Sequence, residues 1–221
     1  MKKIIHNSLY FVFVTIVILS CSKQSAKHEL KDPSLLSEDS VFVGLVSETH
    51  EFLAYLAVNM KANSLDPSSL DKQLSELASR NLSFEKQMQE INSIYKANVS
   101  LRLKTHMIEF KKKIDIIESN YGRVESALIK KEVDEVMSKK VPIQKMKNNI
   151  QAATGRIASC GWRYYGCSAA ATAGVILCHA GCETTALATT AGLGIPACVA
   201  ACGTLQAWAI VQCSDTYCQQ Q

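Results

Sequence analysis

Eight of the nine cysteines fall in the last 62 residues, at positions 160, 167, 178, 182, 198, 202, 213 and 218, and their spacing is a palindrome. An even cluster of cysteines in a short segment reads as a disulfide framework. Each residue of an α-helix turns the chain by about 100°, so gaps of about four and eleven return to nearly the same face. Cys167, Cys178 and Cys182 are separated by eleven and four residues, and Cys198, Cys202 and Cys213 by four and eleven. In an antiparallel helical hairpin, facing residues have numbers with a constant sum. Cys167 with Cys213, Cys178 with Cys202 and Cys182 with Cys198 all share the sum 380, which predicts a nested ladder. Cys160 and Cys218 remain for each other, slightly out of register. On a continuing helix Cys218 would point away, so this pairing requires the chain to leave the helix over Ser214, Asp215 and Thr216.

The turn of such a hairpin falls at residues 189–196, where Gly192 and Gly194 supply backbone freedom and Pro196 suits the start of the returning helix. A disulfide needs Cα atoms roughly 5.5 Å apart, so two helices joined this way must approach closely. The abundance of small residues meets that need: Ala169, Ala170, Ala171, Ala173, Gly174, Ala180, Gly181, Ala197, Ala200, Ala201 and Gly203. Two Cys-x3-Cys pairs also suit a zinc site. Four further cysteines and a second shell limited to His179 argue against it, so no metal is expected.

Composition divides the chain sharply. From Cys160 onward the charged side chains are Arg163, Glu183 and Asp215, whereas residues 22–150 carry twenty Lys/Arg and eighteen Asp/Glu. The predicted organisation is a signal at 1–20, a polar tether at 21–40, a charged amphipathic helical region at 41–150 and a Cys-rich helical hairpin at 158–221. The fold class is all-α: a helical bundle or long helical hairpin, followed by a separate disulfide-bonded antiparallel hairpin. Lys2 and Lys3, an apolar run from Leu9 to Leu19 and Ser20-Cys21 form a secretory signal. Ile18-Leu19-Ser20-Cys21 resembles a bacterial lipoprotein box, which would make Cys21 the lipidated N-terminus. The expected location is therefore the cell envelope, lipid-anchored, with the C-terminal segment available for extracellular release.

Within 41–150 the apolar periodicity predicts one helix over about 40–63 and a second from Pro67, capped by Asp66. It predicts a long third helix from Ser83 to Ile117 and a last one over 123–140. The Lys111-Lys112-Lys113 run and the Lys139-Lys140 pair sit among acidic residues and read as solvated helix faces, so no nucleic-acid partner is expected. His50 and His106 have no cysteine or second histidine at ligand spacing. No nucleophile motif, phosphate loop or paired carboxylate is present, so neither catalysis nor a cofactor is expected.

The last segment carries more apolar side chains than two helices can hide, Val175, Ile176, Leu205 and Ile210 among them. Trp162, Tyr164, Tyr165 and Trp208 suit an interfacial level and are the candidate membrane contacts. Cys178-His-Ala-Gly-Cys182, then Gly192-Leu-Gly-Ile-Pro196, then Cys198 and Cys202, resemble the halocin-like bacteriocin domain, a Cys-rich apolar antimicrobial module found at the C-terminus of longer secreted precursors. The resemblance covers about residues 158–218. It implies a peptide bacteriocin acting on the membranes of competing cells, with the preceding region as leader, carrier or self-protection. Two departures stand beside it: a lipid anchor would tether the toxin to its maker, and no double-glycine site precedes Cys160. The alternative is a non-enzymatic surface lipoprotein with a structural or protein-interaction role. Membrane lipid is the expected partner in both, with an immunity or helical partner protein as a further candidate.

Overall fold

The computed structural model describes residues 30–139, 158–160, 162–189 and 195–220. The signal, Cys21, most of the tether, residues 140–157, the hairpin turn and the side chain of Trp162 lie outside the described residues. The fold is all-α. A short 3-10 helix at Pro33–Glu38 leads into α1 (Ser40–Ala62), α2 (Pro67–Ser79), α3 (Phe84–Tyr95), α4 (Ser100–Tyr121) and α5 (Ser126–Lys139). The Cys-rich hairpin is α6 (Trp162–Thr189) and α7 (Ile195–Tyr217), bracketed by two three-residue strands, β1 (Ala158–Cys160) and β2 (Cys218–Gln220), which pair antiparallel.

Local chemistry sets the helix starts. Asp39 accepts from the Val41 N–H at 2.8 Å and Asp66 from the Ser69 N–H at 2.7 Å, each satisfying a donor that a helix start leaves without a partner. The expected long third helix is instead two. Lys96 adopts left-handed backbone at φ 50° and ends α3, and the Asn92 side chain reaches forward to accept from the Ser100 N–H at 2.8 Å, capping α4. Periodicity hid the break because Tyr95, Val99 and Leu103 keep a spacing of four across it, and all three are buried.

The described part of the segment expected to be a tether is instead docked on the helices from Lys31 onward. The Lys31 N–H donates to the Asn120 carbonyl at 2.8 Å, Leu36 is buried, and the Ser37 N–H donates to the buried Glu132 carboxylate at 3.1 Å. The Tyr121 hydroxyl donates to Asp39 at 3.0 Å, fixing the same segment to α4. The lysines of 111–113 do lie among acids: Lys113 pairs with Glu48 at 2.8 Å and Glu109 at 3.4 Å, and Lys111 with Asp115.

The hairpin does not stand apart as a separate unit. Residues 31–221 form one compact unit, and α6 and α7 are its centre. On one side Ala171, Val175, Ala197, Ala200, Ala207 and Ile210 pack with Phe52, Leu53, Leu56 and Met60 of α1, Leu70, Leu74 and Leu77 of α2, and Ile91 and Tyr95 of α3. On the other, Tyr164, Ala169, Ala173 and Ile176 pack with Phe42, Leu45 and Val46 of α1, Phe110 and Ile117 of α4, and Val133, Val136 and Met137 of α5. Helices apolar on every side need burial on more than one side, and the helices before them supply much of it. They form a sheath around a nearly uncharged core.

Candidate functional site: the disulfide ladder and its sheath

Three bridges cross between α6 and α7. Cys167–Cys213, Cys178–Cys202 and Cys182–Cys198 have Cα separations of 5.8, 5.9 and 5.8 Å. They close loops of 46, 24 and 16 residues, nested one inside the next. All three join the hairpin to itself. The bond expected between Cys160 and Cys218 involves a side chain outside the described ones; the strand pairing sets the two residues opposite each other, and Cys218 is disulfide-bonded. The route to that register differs from expectation. Helix α7 continues through Ser214, Asp215 and Thr216 to Tyr217, and the change to extended chain at residue 218 turns the last cysteine.

Two bridges lie one helical turn apart, so the sulfurs of Cys178, Cys182 and Cys202 fall within 4.8 Å of one another, a spacing that suits a metal ion. Each of these sulfurs is held in a disulfide, and a disulfide sulfur is not the thiolate that zinc requires.

The candidate membrane aromatics separate. Tyr164 is fully buried against the α5 side of the sheath and faces no membrane in this state. Its neighbour Tyr165 is half-buried and stacks edge-on against it, with ring centroids 5.6 Å apart. Trp208 is 39 % exposed, and Leu205, one turn before it, is 47 % exposed. Covering the apolar surface of α6 and α7 thus removes one of the three described aromatics outright. The exposed apolar pair, Leu205 and Trp208, lies on α7.

Burial also places polar groups where sequence spacing gave no hint of contact. His106 of α4 and His179 of α6, 73 residues apart, meet with Nε2 of the first 3.2 Å from Nδ1 of the second. His179 Nε2 lies 3.1 Å from the Val199 carbonyl, which can only accept. His179 therefore carries its proton on Nε2, leaving Nδ1 to accept from the His106 Nε2–H. Phe52 stacks on His106 with centroids 4.0 Å apart, and Phe110 meets His179 edge-on at 5.2 Å. Desolvation holds His106 down to about 2, helped by the charge that His179 would take on in acid and by the positive charges of Arg102 and Lys113, and desolvation holds His179 down to about 4. Both rings are neutral near pH 7. The only sequence signal for this pair was His179 itself, a polar residue in an otherwise apolar stretch.

Other ties between core and sheath are equally specific. Tyr95 of α3 shares a buried hydrogen bond with Thr204 of α7, and burial pushes its phenol well above the ordinary value. The Gln87 side-chain Oε1 of α3 accepts from the Ala197 N–H at 3.4 Å, serving a donor in the first turn of α7 from outside that helix. At Gly203 the helices touch: a Cβ there would lie 2.7 Å from Leu56 Cδ1 and 3.2 Å from Phe52 Cε1. Gly203→Ala should therefore destabilise the whole chain by about 1–2 kcal/mol, overpacking outweighing the gain in helix propensity. In the isolated hairpin, where Leu56 and Phe52 are absent, the same change should be neutral or stabilising. Urea midpoints of the two proteins measure the difference.

The site is thus a self-bridged apolar hairpin held by non-covalent contacts within a sheath of amphipathic helices. Three described helices are long and apolar enough to cross a membrane: Ser40–Ala62, the stretch Arg163–Cys182 and Ile195–Tyr217. Compared with models of protein families, with curated proteins and with solved structures, the chain matches none.

Proposed function

We propose that this chain is an exported, lipid-anchored precursor of a bacteriocin-like peptide, in which the helical region before the hairpin sheathes a membrane-active segment until it is released. The observation that carries the reading is the placement of the bridges. A disulfide ladder serving the whole bundle would tie sheath to core, whereas the three described in full lie within the hairpin and leave it closed as a unit. Two nearly uncharged helices of membrane-crossing length are a hazard to the cell that makes them, and in the folded chain half of each described apolar stretch is buried, largely against the sheath. The cysteine spacing, which resembles that of halocin-like bacteriocins, motivates the same reading. Released, the hairpin would lose its apolar cover and would gain by meeting a lipid surface.

The test is leakage of dye from anionic vesicles, using the chain with a protease site inserted between Lys139 and Ala158. The intact chain should be inert; the cut chain, separated from its sheath, should cause leakage that disappears on reduction. A second reading rests on how completely the hairpin is incorporated, since the same residues form the only core that α2 and α3 share among the described residues. In that reading the chain is an anchored structural or interaction lipoprotein, and a separated, oxidised hairpin that leaves vesicles intact would establish it over the first.

A further inference from the structure

Helix α4 presents two working faces. Leu103, His106, Phe110, Ile117 and Tyr121 are buried in the bundle. Lys104, Met107, Ile108, Lys111, Lys112 and Asp115, related by steps of three and one, form a second stripe that walls a cavity of about 690 Å³. Phe84 of α3 closes one side, and His179, Ile195 and Val199 of the hairpin form the opposite wall. The volume lies within the roughly 300–1,000 Å³ typical of small-ligand sites, and the walls are mostly apolar. Ile108 is 56 % exposed at its edge, an apolar surface left facing water.

We propose that this cavity binds a free long-chain fatty acid, with the alkyl chain inside and the carboxylate at the mouth. The interior fixes the orientation. Both nitrogens of His179 are engaged, one with His106 and one with Val199, so the deep wall offers no donor to a buried carboxylate. The mouth does the opposite. Asp115 is neutralised by Lys111, which leaves Lys104 and Lys112 as a cationic surplus, and Lys104 is held at the rim over the Phe84 ring at 6.0 Å. An apolar chamber under a positive rim matches an anionic single-chain amphiphile and rejects a cationic one of the same length. The site exists only in the assembled chain, because its walls come from both sheath and hairpin, and the proposal does not depend on the hairpin being released later.

The test uses the full chain without its signal, stripped of lipid and titrated by calorimetry below the micelle threshold. Palmitate should saturate at one per chain, and the cationic amphiphile cetyltrimethylammonium should bind at least tenfold more weakly. Lys104→Glu with Lys112→Glu should weaken palmitate about tenfold, and Met107→Trp should abolish binding by filling the chamber from its partly buried wall. Ile108→Glu, at an exposed position where folding is not at risk, should also weaken palmitate. Absence of saturable palmitate binding, equal binding of the cationic amphiphile, or undiminished binding in the folded Ile108→Glu and Lys104→Glu/Lys112→Glu variants would overturn the proposal.

Discussion

Reduced in the absence of denaturant, the chain should lose its native tertiary structure at room temperature, with near-ultraviolet circular dichroism collapsing before helicity does. In the chain-entropy account the innermost bridge, closing 16 residues, is worth about 3 kcal/mol. The outer two act on loops already shortened by the bridge inside them, so their increments are also about 3 kcal/mol each rather than the larger values their full separations would give. Together the ladder supplies roughly 9 kcal/mol, against a net stability of about 5–15 kcal/mol for an ordinary domain. Few large side chains lie between α6 and α7, so little inter-helix burial compensates. Replacing Cys167 and Cys213 together by Ser should cost about 3 kcal/mol and lower the urea midpoint accordingly. A single Cys182→Ser change should leave Cys198 reactive towards a thiol reagent after denaturation without reductant; any other cysteine freed instead contradicts the nested order. Wild-type stability that is indifferent to reduction would mean that the sheath, not the ladder, holds the hairpin together.

What could be read from the chain follows from where the information is local. The order of the cysteines is legible because the helical repeat converts spacing into direction, and the mirror about the turn then selects partners. Asp66 marks a helix start for the same reason, since a cap acts within three residues. The relation of hairpin to sheath is not local. Reading the charged and uncharged halves as separate units overlooked that helices apolar on all sides, such as α6 and α7, demand a wrapping, and that the single apolar stripes of α2 and α3 supply one. Gly203 shows the limit at one residue: as sequence it is one small residue among many, and its contact with Leu56 exists only once α1 lies across α7. The same holds for His106, which the sequence leaves without a partner and the packing sets against His179.

Lowering the pH from 7 to 5 should cost the folded chain about 4 kcal/mol, through that histidine pair. Both rings have folded values far below the ordinary histidine value of 6.5, His106 at about 2 and His179 at about 4. A group depressed on folding contributes its full stability above its unfolded value and loses it as the pH falls below that value towards the folded one. Two pH units of descent through that window cost about 2 kcal/mol per histidine. The surroundings offer no relief: Arg102 and Lys113 add positive charge beside His106, and the acids facing them from α1, Glu51 at 3.9 Å and Glu48 at 2.8 Å, are already paired with those cations. The carboxylates held low by their own hydrogen bonds, Asp39 and Glu132, lose their contributions only below about 4.5, outside this window. His106 belongs to the sheath and His179 to the hairpin, so the loss falls on the contact between them and not on the ladder. An isolated hairpin should show no comparable dependence, and His106→Phe with His179→Phe should flatten the slope in the full chain even if overall stability drops. Urea midpoints measured at pH 7, 6 and 5 decide the matter: a wild-type midpoint constant across that range would show that the pair is solvated or already open. A falling midpoint would make mild acid a means of loosening the sheath from its core while the bridges stay closed.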